Sequence, residues 1–257
     1  MTQLSTKNLD LGYGGAPVLK DITLDIPDGQ ITAVVGPNAC GKSTLLRCLA
    51  RLIKPMRGEA LLDGTPIHKL NTKAVARRIA LLPQSAEAPA GMRVIDLVAR
   101  GRTPHQTPLQ QWSTKDEEVV TRALAQVGLS EEADRPVNDL SGGQRQRAWI
   151  AMVLAQDTGI LLLDEPTTFL DLHYQIETLK LVRALQQDRQ LTVVMVLHDI
   201  NLAARFADHI VALRGGSIIC QGAPIEVVTE AMIEAVYNLK SQVVAGPVGD
   251  APYVIAL

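Results

Sequence analysis

The chain has 257 residues, a formal net charge of −2 at pH 7 and a hydrophobic content of 47%. This length suits one large domain or two closely joined subdomains with true hydrophobic cores, and the composition argues against wholesale disorder. The nearly neutral charge argues against a nucleic-acid-binding protein, which usually has a basic surface, so we expect no nucleic-acid partner.

No apolar run approaches the roughly 20 residues that a membrane-spanning helix requires. The N-terminal stretch MTQLSTKNLD lacks the apolar centre of a secretory signal. We therefore expect a cytosolic chain that meets a membrane only through a partner. The three cysteines, Cys40, Cys48 and Cys220, show no CxxC spacing, which argues against a disulfide framework or a zinc site.

The first third of the chain predicts strands and one helix. Apolar and polar residues alternate over most of 1–35, and the apolar run ITAVV at 31–35 predicts a buried strand that leads into a glycine-rich loop. Segment 42–53 carries apolar residues three and four apart, so we expect a helix that stops before Lys54-Pro55. Residues 58–83 predict more strand and a short helix, with the last strand ending in LLPQ at 81–84.

The pattern then changes. Residues 85–140 combine loops with amphipathic helices and indicate a helical insertion, and a further helix follows LSGG. Strands are predicted at ILLLD (160–164), LTVVMVL (191–197) and HIVAL (209–213), with helices at 172–187 and 200–206 between them. Gly215-Gly216 marks a hairpin turn. This alternation predicts an α/β fold with a mostly parallel core sheet and an antiparallel layer at the N-terminus. We expect the C-terminal segment, 234–257, to pack against the sheet.

The loop GPNACGKS at 36–43 matches the pattern G-x-x-x-x-G-K-[ST]. Gly36 and Gly41 let the backbone curl so that its N–H groups point at phosphates, and the helix that follows aims its positive end at the same anion. The Lys42 ammonium reaches the β- and γ-phosphates, and the Ser43 hydroxyl is a ligand for Mg²⁺. The structural alternative is a glycine turn that merely joins a strand to a helix.

Two carboxylates follow the strand ILLL. Asp164 lies at the carboxyl end of that strand, where ligands bind in open α/β sheets, and is placed to hold Mg²⁺. Glu165 comes next and is placed to take a proton from an attacking water. The structural alternative for Glu165 is an ordinary surface acid, but its position beside Asp164 favours the catalytic role.

Three more residues are candidates for the same site. Gln84 follows a strand and is a candidate to ligate the metal or orient water, and His198 follows another strand and is a candidate to bind a γ-phosphate. Tyr13, in GYGG, is a candidate to stack on an adenine ring. For each of them the alternative, an ordinary polar or aromatic residue at a strand, remains open.

A second loop, LSGGQ at 140–144, raises the question of why one chain has two anion sites. Ser141, Gly142 and Gly143 open a helix whose first N–H groups are free to bind an anion. The alternative is that Ser141 is an N-cap and the glycines form a turn. Because this loop follows the helical insertion, it could lie far from the first loop of its own chain and bind the γ-phosphate of a nucleotide held by another molecule. We therefore expect two chains to assemble head to tail around ATP.

These features together resemble the ATPase subunit of an ABC transporter, a P-loop NTPase. The segments that carry the resemblance are GPNACGKST, Gln84, LSGGQ, ILLLDE, the aspartate Asp171 of TTFLD, and His198. The resemblance implies one ABC domain over 1–257, in which 1–84 and 160–257 form a RecA-like core with the antiparallel layer and about 85–159 form a helical subdomain that ends in the signature loop. It also implies an ATP-induced homodimer at the cytoplasmic face of the bacterial inner membrane, integral-membrane permease subunits as partners, and indirectly a substrate-binding protein.

The site residues implied by the motifs and the resemblance fall into three groups, with ATP and Mg²⁺ as cofactors. The catalytic residues are Glu165, His198, Gln84 and Lys42, and the metal ligands are Ser43, Gln84 and Asp164. The nucleotide-binding residues are Tyr13, Gly36, Pro37, Asn38, Ala39, Cys40, Gly41, Lys42, Ser43, Thr44, Ser141, Gly142, Gly143, Gln144 and Asp171.

A narrower resemblance is to importers of ferric siderophores and ferric citrate, whose relatives import haem or vitamin B12. It rests on VARGRTPH, LSGGQRQRAWIAMVLAQDT and the TTFLD form of the D-loop. The phosphate loop has Ala39-Cys40 where many family members have Gly-Ser. The start of a helix and Lys42 lie beside the Cys40 thiol, so one expectation is a lowered thiol pKa and labelling by maleimide that ATP prevents. The alternative, that Cys40 is only a small residue tolerated in the loop, remains open.

Three other classes of function compete with a transport ATPase. A nucleotide-dependent scaffold would not need Glu165 and His198. A soluble ABC protein of translation or DNA repair usually needs two cassettes or a long coiled coil. A small-molecule kinase would explain the first loop but not LSGGQ.

Overall fold

The computed structural model describes residues 3–85, 87–107, 112–247, 249 and 251–257. Its centre is a six-stranded sheet with the order β10-β9-β3-β8-β7-β6, in which all neighbouring pairs are parallel except β10 with β9. The strands are β3 (Ile31–Val35), β6 (Ile79–Leu82), β7 (Ile160–Leu163), β8 (Thr192–Val196), β9 (His209–Arg214) and β10 (Ser217–Gly222).

A separate antiparallel sheet has the strand order β2-β1-β4-β5. Its strands are β1 (Leu4–Leu11), β2 (Leu19–Ile26), β4 (Arg57–Leu62) and β5 (Thr65–Pro66). The expected α/β fold, with a mostly parallel core sheet and an antiparallel layer, is therefore confirmed. The predicted hairpin at Gly215-Gly216 is also present, because both glycines have positive φ values of 57° and 83° between β9 and β10.

Two hydrophobic cores lie on the two faces of the central sheet. Because side chains alternate along a strand, Val34 of β3 faces the core shared with helix α1 (Lys42–Leu49) and the antiparallel sheet, whereas Ala33 and Val35 face the core shared with the remaining large helices. The first core fixes the position of the loop between β3 and α1, since it buries both elements that the loop joins.

The helical segment contains α3 (Val94–Ala99), a 3₁₀ helix at Arg100–His105, α4 (Thr114–Gln126) and α5 (Gly142–Ala155). A buried ion pair joins Arg102 to Asp116 at 2.7 Å, and Arg102 also donates to the Ala155 carbonyl at 2.8 Å. Gln156 joins the segment to the core, because its Nε2 donates to a carbonyl oxygen of α2 (Thr72–Ala76) at 2.6 Å and to one of β6 at 2.9 Å.

The second half of the core adds α6 (Leu172–Arg189) and α7 (Ile200–Phe206), and the C-terminal part adds α8 (Pro224–Val227), α9 (Glu230–Tyr237), β11 (Ser241–Ala245) and β12 (Pro252–Ala256). Helix α9 packs on β9 and β10, so among the described residues of 234–257, which we expected to pack against the sheet, only 234–237 belong to an element that packs on it. The β11–β12 hairpin instead packs on α7, where Asn201 exchanges two hydrogen bonds with the backbone of Val254 at 2.7 and 3.1 Å. Among the described residues, no helix has the length and apolar character needed to cross a membrane.

The predicted helix over 42–53 is too long, because α1 ends at Leu49. Arg51 adopts a left-handed conformation with φ of 66°, its N–H donates to Cys48 O, and the N–H of Leu52 donates to Arg47 O. This is a Schellman motif, which ends a helix with a left-handed residue just past its last turn. The Arg51 side chain stabilises that ending by donating to Ile67 O at 3.2 Å.

Candidate nucleotide site

The loop between β3 and α1 has a backbone that only glycine permits at two positions. Gly36 has φ of 143°, and a Cβ there would lie 2.1 Å from the Leu213 carbonyl oxygen. Gly41 has φ of 105°, and a Cβ there would lie 2.5 Å from the Leu19 side chain. The two glycines therefore let the loop fold back tightly between β3 and α1.

Lys42, the first residue of α1, is a buried cation with 5% of its surface exposed. Its ammonium donates to Gly36 O at 2.8 Å and to Pro37 O at 2.9 Å, which fixes it across the loop. No carboxylate lies within 4.0 Å of this ammonium among the residues that the structure describes. The ammonium has three N–H donors, and these two hydrogen bonds use two of them. A buried cation with one N–H left and no ion pair suits a loop that binds an anion.

Ser43 and Asp164 are far apart in the chain and adjacent in space. The Ser43 hydroxyl donates to Asp164 Oδ1 at 2.8 Å, at the carboxyl end of β7. Burial raises the pKa of Asp164 above its usual value, and the Ser43 hydrogen bond opposes this only in part. A hydroxyl and a carboxylate oxygen are both suitable Mg²⁺ ligands, so these two residues fit the metal that the sequence predicts.

Glu165 lies at the centre of a hydrogen-bonded cluster that joins three strand ends. Gln84 Nε2 donates to Glu165 Oε2 at 2.6 Å from the end of β6, and His198 Nε2 lies 2.6 Å from Glu165 Oε1 just past β8. Burial alone would raise the pKa of Glu165, but hydrogen bonds from His198 and Thr168 outweigh it, so the pKa lies below its usual value. The carboxylate is ionised at neutral pH.

Except for Asp164 and Thr168, the polar and charged side chains described above line one cleft of about 620 Å³. The cleft is lined by Val18, Asn38, Ala39, Gly41, Lys42, Ser43, Thr44, Gln84, Glu165 and His198. All of these except Val18 are predicted from the sequence. Tyr13 is 62% exposed, and its hydroxyl lies 3.3 Å from the hydroxyl of Thr44, a cleft residue.

The second loop lies outside this cleft. Ser141 is the N-cap of α5: its Oγ accepts from Gln144 N at 3.2 Å, and Gln144 Oε1 accepts from Ser141 N at 3.1 Å. The structure therefore supports the N-cap interpretation of Ser141 and gives the glutamine a local role. Gly143 is also explained locally, because a Cβ there would lie 2.4 Å from the Tyr174 ring.

Gly142 has no such local reason, since the nearest atom to a Cβ there is in Leu170 at 3.8 Å. Asp171 does not line the cleft either; it is the N-cap of α6 and accepts from Tyr174 N at 3.1 Å. Around these residues the surface is unusually apolar, with Phe169 92% exposed and Leu172 71% exposed. Such apolar surface next to an open helix N-terminus suits contact with another protein.

The expectation of a lowered thiol pKa at Cys40 is wrong. Cys40 is only 6% exposed, and burial raises the pKa of its thiol by more than the Lys42 cation lowers it. The sequence placed the thiol beside a helix start and a lysine but did not show that the loop folds it inward.

We therefore expect maleimide at neutral pH to modify the half-buried Cys220 before Cys40 or Cys48 in the native chain. Burial raises the pKa of Cys48 to about 12, so this thiol serves as an unreactive internal reference. Mass spectrometry of the labelled peptides over time measures the order, and all three cysteines should react equally in denaturant. Rapid labelling of Cys40 that Mg-ATP prevents would contradict the burial.

Two residues of the site were missed from the sequence. Val18, the residue before β2, lines the cleft. The sequence indicated it only as an apolar residue shortly after Tyr13. Thr168 donates from its hydroxyl to Glu165 Oε2 at 3.0 Å. Its signal was a hydroxyl three residues after the candidate base, a spacing that allows a side-chain contact within one turn.

Comparison with known proteins identifies the class. A family model described as ABC transporter matches residues 19–168. The chain therefore belongs to the ABC transporter family.

Its relatives narrow this assignment. The chain is 53% identical to the petrobactin import ATP-binding protein of Bacillus anthracis, over 98% of this chain and 92% of that protein. It is 51% identical to the ferric enterobactin transport ATP-binding protein of Escherichia coli, over 100% of this chain and 95% of that protein. The resemblance to ATP-binding subunits of iron-chelate importers is confirmed.

A solved structure agrees with this fold. An inward-facing transporter described as metal-chelate type aligns with a TM-score of 0.87 at 29% identity, covering 100% of this chain and 97% of that chain. The arrangement of a parallel core sheet, an antiparallel sheet and inserted helices is thus the arrangement of an ABC ATPase cassette.

Proposed function

We propose that this chain is the ATP-hydrolysing subunit of a bacterial importer for a ferric siderophore or a similar iron chelate. The observation that carries the proposal is the Glu165 carboxylate, which faces the same cleft as the phosphate loop and is held there by Gln84 and His198. The relatives named for petrobactin and enterobactin transport support the choice of cargo.

In this proposal the loop at 36–44 wraps the phosphates of ATP, and Lys42 adds charge at the β- and γ-phosphates. Tyr13 stacks on the adenine ring, which its exposed position beside Thr44 allows. Mg²⁺ would be held by Ser43, Asp164 and Gln84 and would neutralise negative charge on the phosphates. Their hydroxyl, carboxylate and amide oxygens form a suitable donor set.

Hydrolysis then depends on Glu165. Its carboxylate takes a proton from the attacking water, the water oxygen bonds to the γ-phosphorus, and the bond from that phosphorus to the bridging oxygen of ADP breaks. His198 donates a hydrogen bond to the γ-phosphate, and Gln84 orients the water or the metal. The products are ADP and inorganic phosphate.

The second anion site serves another copy of the chain. Residues 141–144 would meet the γ-phosphate bound by the partner, and Asp171 would lie at the same contact. The apolar surface around Phe169 and Leu172 supports this contact. ATP would join the two chains head to tail, and hydrolysis would release them.

The remaining partners follow from the family. Integral-membrane permease subunits would hold the dimer peripherally at the cytoplasmic face of the inner membrane, and a substrate-binding protein would act indirectly. We assign 1–84 and 160–257 to the nucleotide-binding core with its antiparallel layer, and about 85–159 to a helical subdomain. The joint at Gln156 supports that boundary, since it links the end of α5 to α2 and β6.

Gly142→Asp should abolish ATP-dependent pairing of two chains while leaving ATP binding to each chain unchanged. The position has space for a side chain, and a carboxylate at a helix N-terminus stabilises the helix, yet it repels a γ-phosphate from the partner. Light scattering with saturating Mg-ATP measures the pairing. Thr114→Asp, which puts the same charge at the exposed start of α4, is the matched control and should still pair. Pairing by Gly142→Asp equal to the control would contradict the proposed role of the second loop.

Growth of the organism that carries the gene tests the cargo. With Glu165→Gln in place of the native gene, we expect a defect in iron-limited medium that excess free iron cures, and the defect should be confined to one iron chelate among a siderophore, citrate and haem. A normal response to iron together with a defect on vitamin B12 would overturn the iron assignment and leave the ATPase proposal in place. Normal growth on every solute would contradict an import function.

A further inference from the structure

Three hydrogen-bond donors contact the Glu165 carboxylate, and they lie in different parts of the chain. Gln84 and His198 belong to other strand ends, 81 and 33 positions away in the chain, whereas Thr168 belongs to the same turn as Glu165. The turn is closed twice, because Thr168 N donates to Glu165 O at 3.2 Å and Thr168 Oγ1 donates to Glu165 Oε2 at 3.0 Å.

The backbone of this turn is bent at both ends. Glu165 and Phe169 have positive φ values of 54° and 64°, which are uncommon for residues with a side chain. The two left-handed residues bracket Thr168 and bring both its amide and its hydroxyl toward Glu165. Among the described residues, Glu165 is the single hydrogen-bond partner of the Thr168 hydroxyl.

The other two donors have competing tasks in the proposed reaction. A proton on His198 Nε2 points either at Glu165 Oε1 or at a γ-phosphate, so binding the phosphate releases Oε1. Gln84 is exposed and lies at the entrance to the helical segment, so its position depends on that segment as well as on the metal. The Thr168 contact depends only on its own turn.

We propose that Thr168 is a positioning residue for hydrolysis, which holds Oε2 of Glu165 so that Oε1, once released by His198, faces the attacking water. This inference rests on the proposed role of Glu165 as the base. It assigns different tasks to the two carboxylate oxygens: one stays bonded to the Thr168 hydroxyl, and the other accepts the proton.

The test compares Thr168→Val, which keeps the branched shape but removes the hydroxyl, with Thr168→Ser, which keeps the hydroxyl. We expect kcat of the purified full chain to fall about tenfold in Thr168→Val, with the KM for ATP and the melting temperature within error of the wild type. Thr168→Ser should restore at least half of the wild-type kcat. Thr167→Val is the matched neighbouring control and should keep the wild-type kcat.

A second comparison separates positioning from general damage. In a Glu165→Gln background, Thr168→Val should cause no further loss, because the two residues act through one carboxylate. A wild-type kcat in Thr168→Val, equal loss in Thr168→Ser, or a loss that appears in KM would overturn the inference. Turnover that does not depend on Glu165 would instead remove the role of Glu165 as the base, and the inference with it, whereas a wild-type chain that hydrolyses no ATP would remove the proposed function.

Discussion

Replacing Glu165 with glutamine should slow ATP hydrolysis at least about a hundredfold, because the amide cannot accept the proton that the carboxylate takes from water. Glutamine has nearly the same shape, and its oxygen still accepts the hydrogen bonds of Gln84 and Thr168, so the cleft should keep its form. Phosphate release by the purified chain measures the turnover, and titration with a fluorescent ATP analogue should show that affinity is retained.

The control for this variant is Glu177→Gln. Glu177 is an exposed carboxylate on α6 whose contact is a surface ion pair with Lys180, and its loss should leave turnover unchanged. If Glu165→Gln hydrolysed ATP at more than about a tenth of the wild-type rate, another group would be the base. A loss of ATP affinity equal to the loss of turnover would instead show that Glu165 serves binding.

Lys42→Ala should weaken ATP binding itself, by about ten- to a hundredfold. The ammonium is buried among loop carbonyls and has no carboxylate partner within the described chain, so its charge is directed at the cleft. A charge-assisted hydrogen bond to phosphate is among the strong polar contacts of proteins, so its removal should weaken the binding of ATP directly. Binding of ATP by calorimetry in the presence of Mg²⁺ measures the effect.

An exposed lysine provides the comparison. Lys54→Ala removes the same charge from the surface beyond α1, outside the cleft, and should leave the affinity unchanged. Equal affinities for Lys42→Ala and the wild type would contradict the assignment of the loop as the phosphate site. A loss in both variants would point to the overall charge of the chain rather than to the loop.

Much of this site could be predicted because its parts are short and local. The loop from Gly36 to Ser43 is continuous in the sequence. The rule that parallel strands present their carboxyl ends at one edge brings Gln84, Glu165 and His198 together without knowledge of the strand order. The structure adds that β7 lies between β6 and β8, which is why Glu165 is the residue that contacts the other two.

Other features depend on contacts that a sequence pattern does not contain. The end of α1 is set by the left-handed Arg51 and its hydrogen bond to Ile67 O, not by the proline at position 55. The raised thiol pKa of Cys40 follows from burial that the sequence pattern does not contain: a Cβ on Gly36 would lie 2.1 Å from Leu213 O and 3.1 Å from Cys40 Sγ, which shows how tightly the loop is packed there. The Thr168 contact needs the rotamer of a threonine within a strained turn.

Sedimentation velocity of the Glu165→Gln chain, with and without saturating Mg-ATP, tests the two-chain site most directly. Glu165→Gln holds ATP without consuming it, so the head-to-tail pair should persist through the run. We predict a monomer without nucleotide, a dimer with Mg-ATP, and a monomer in both conditions when Gly142→Asp is added. A chain that stays monomeric at saturating Mg-ATP, or that dimerises without nucleotide, would contradict a site shared between two copies.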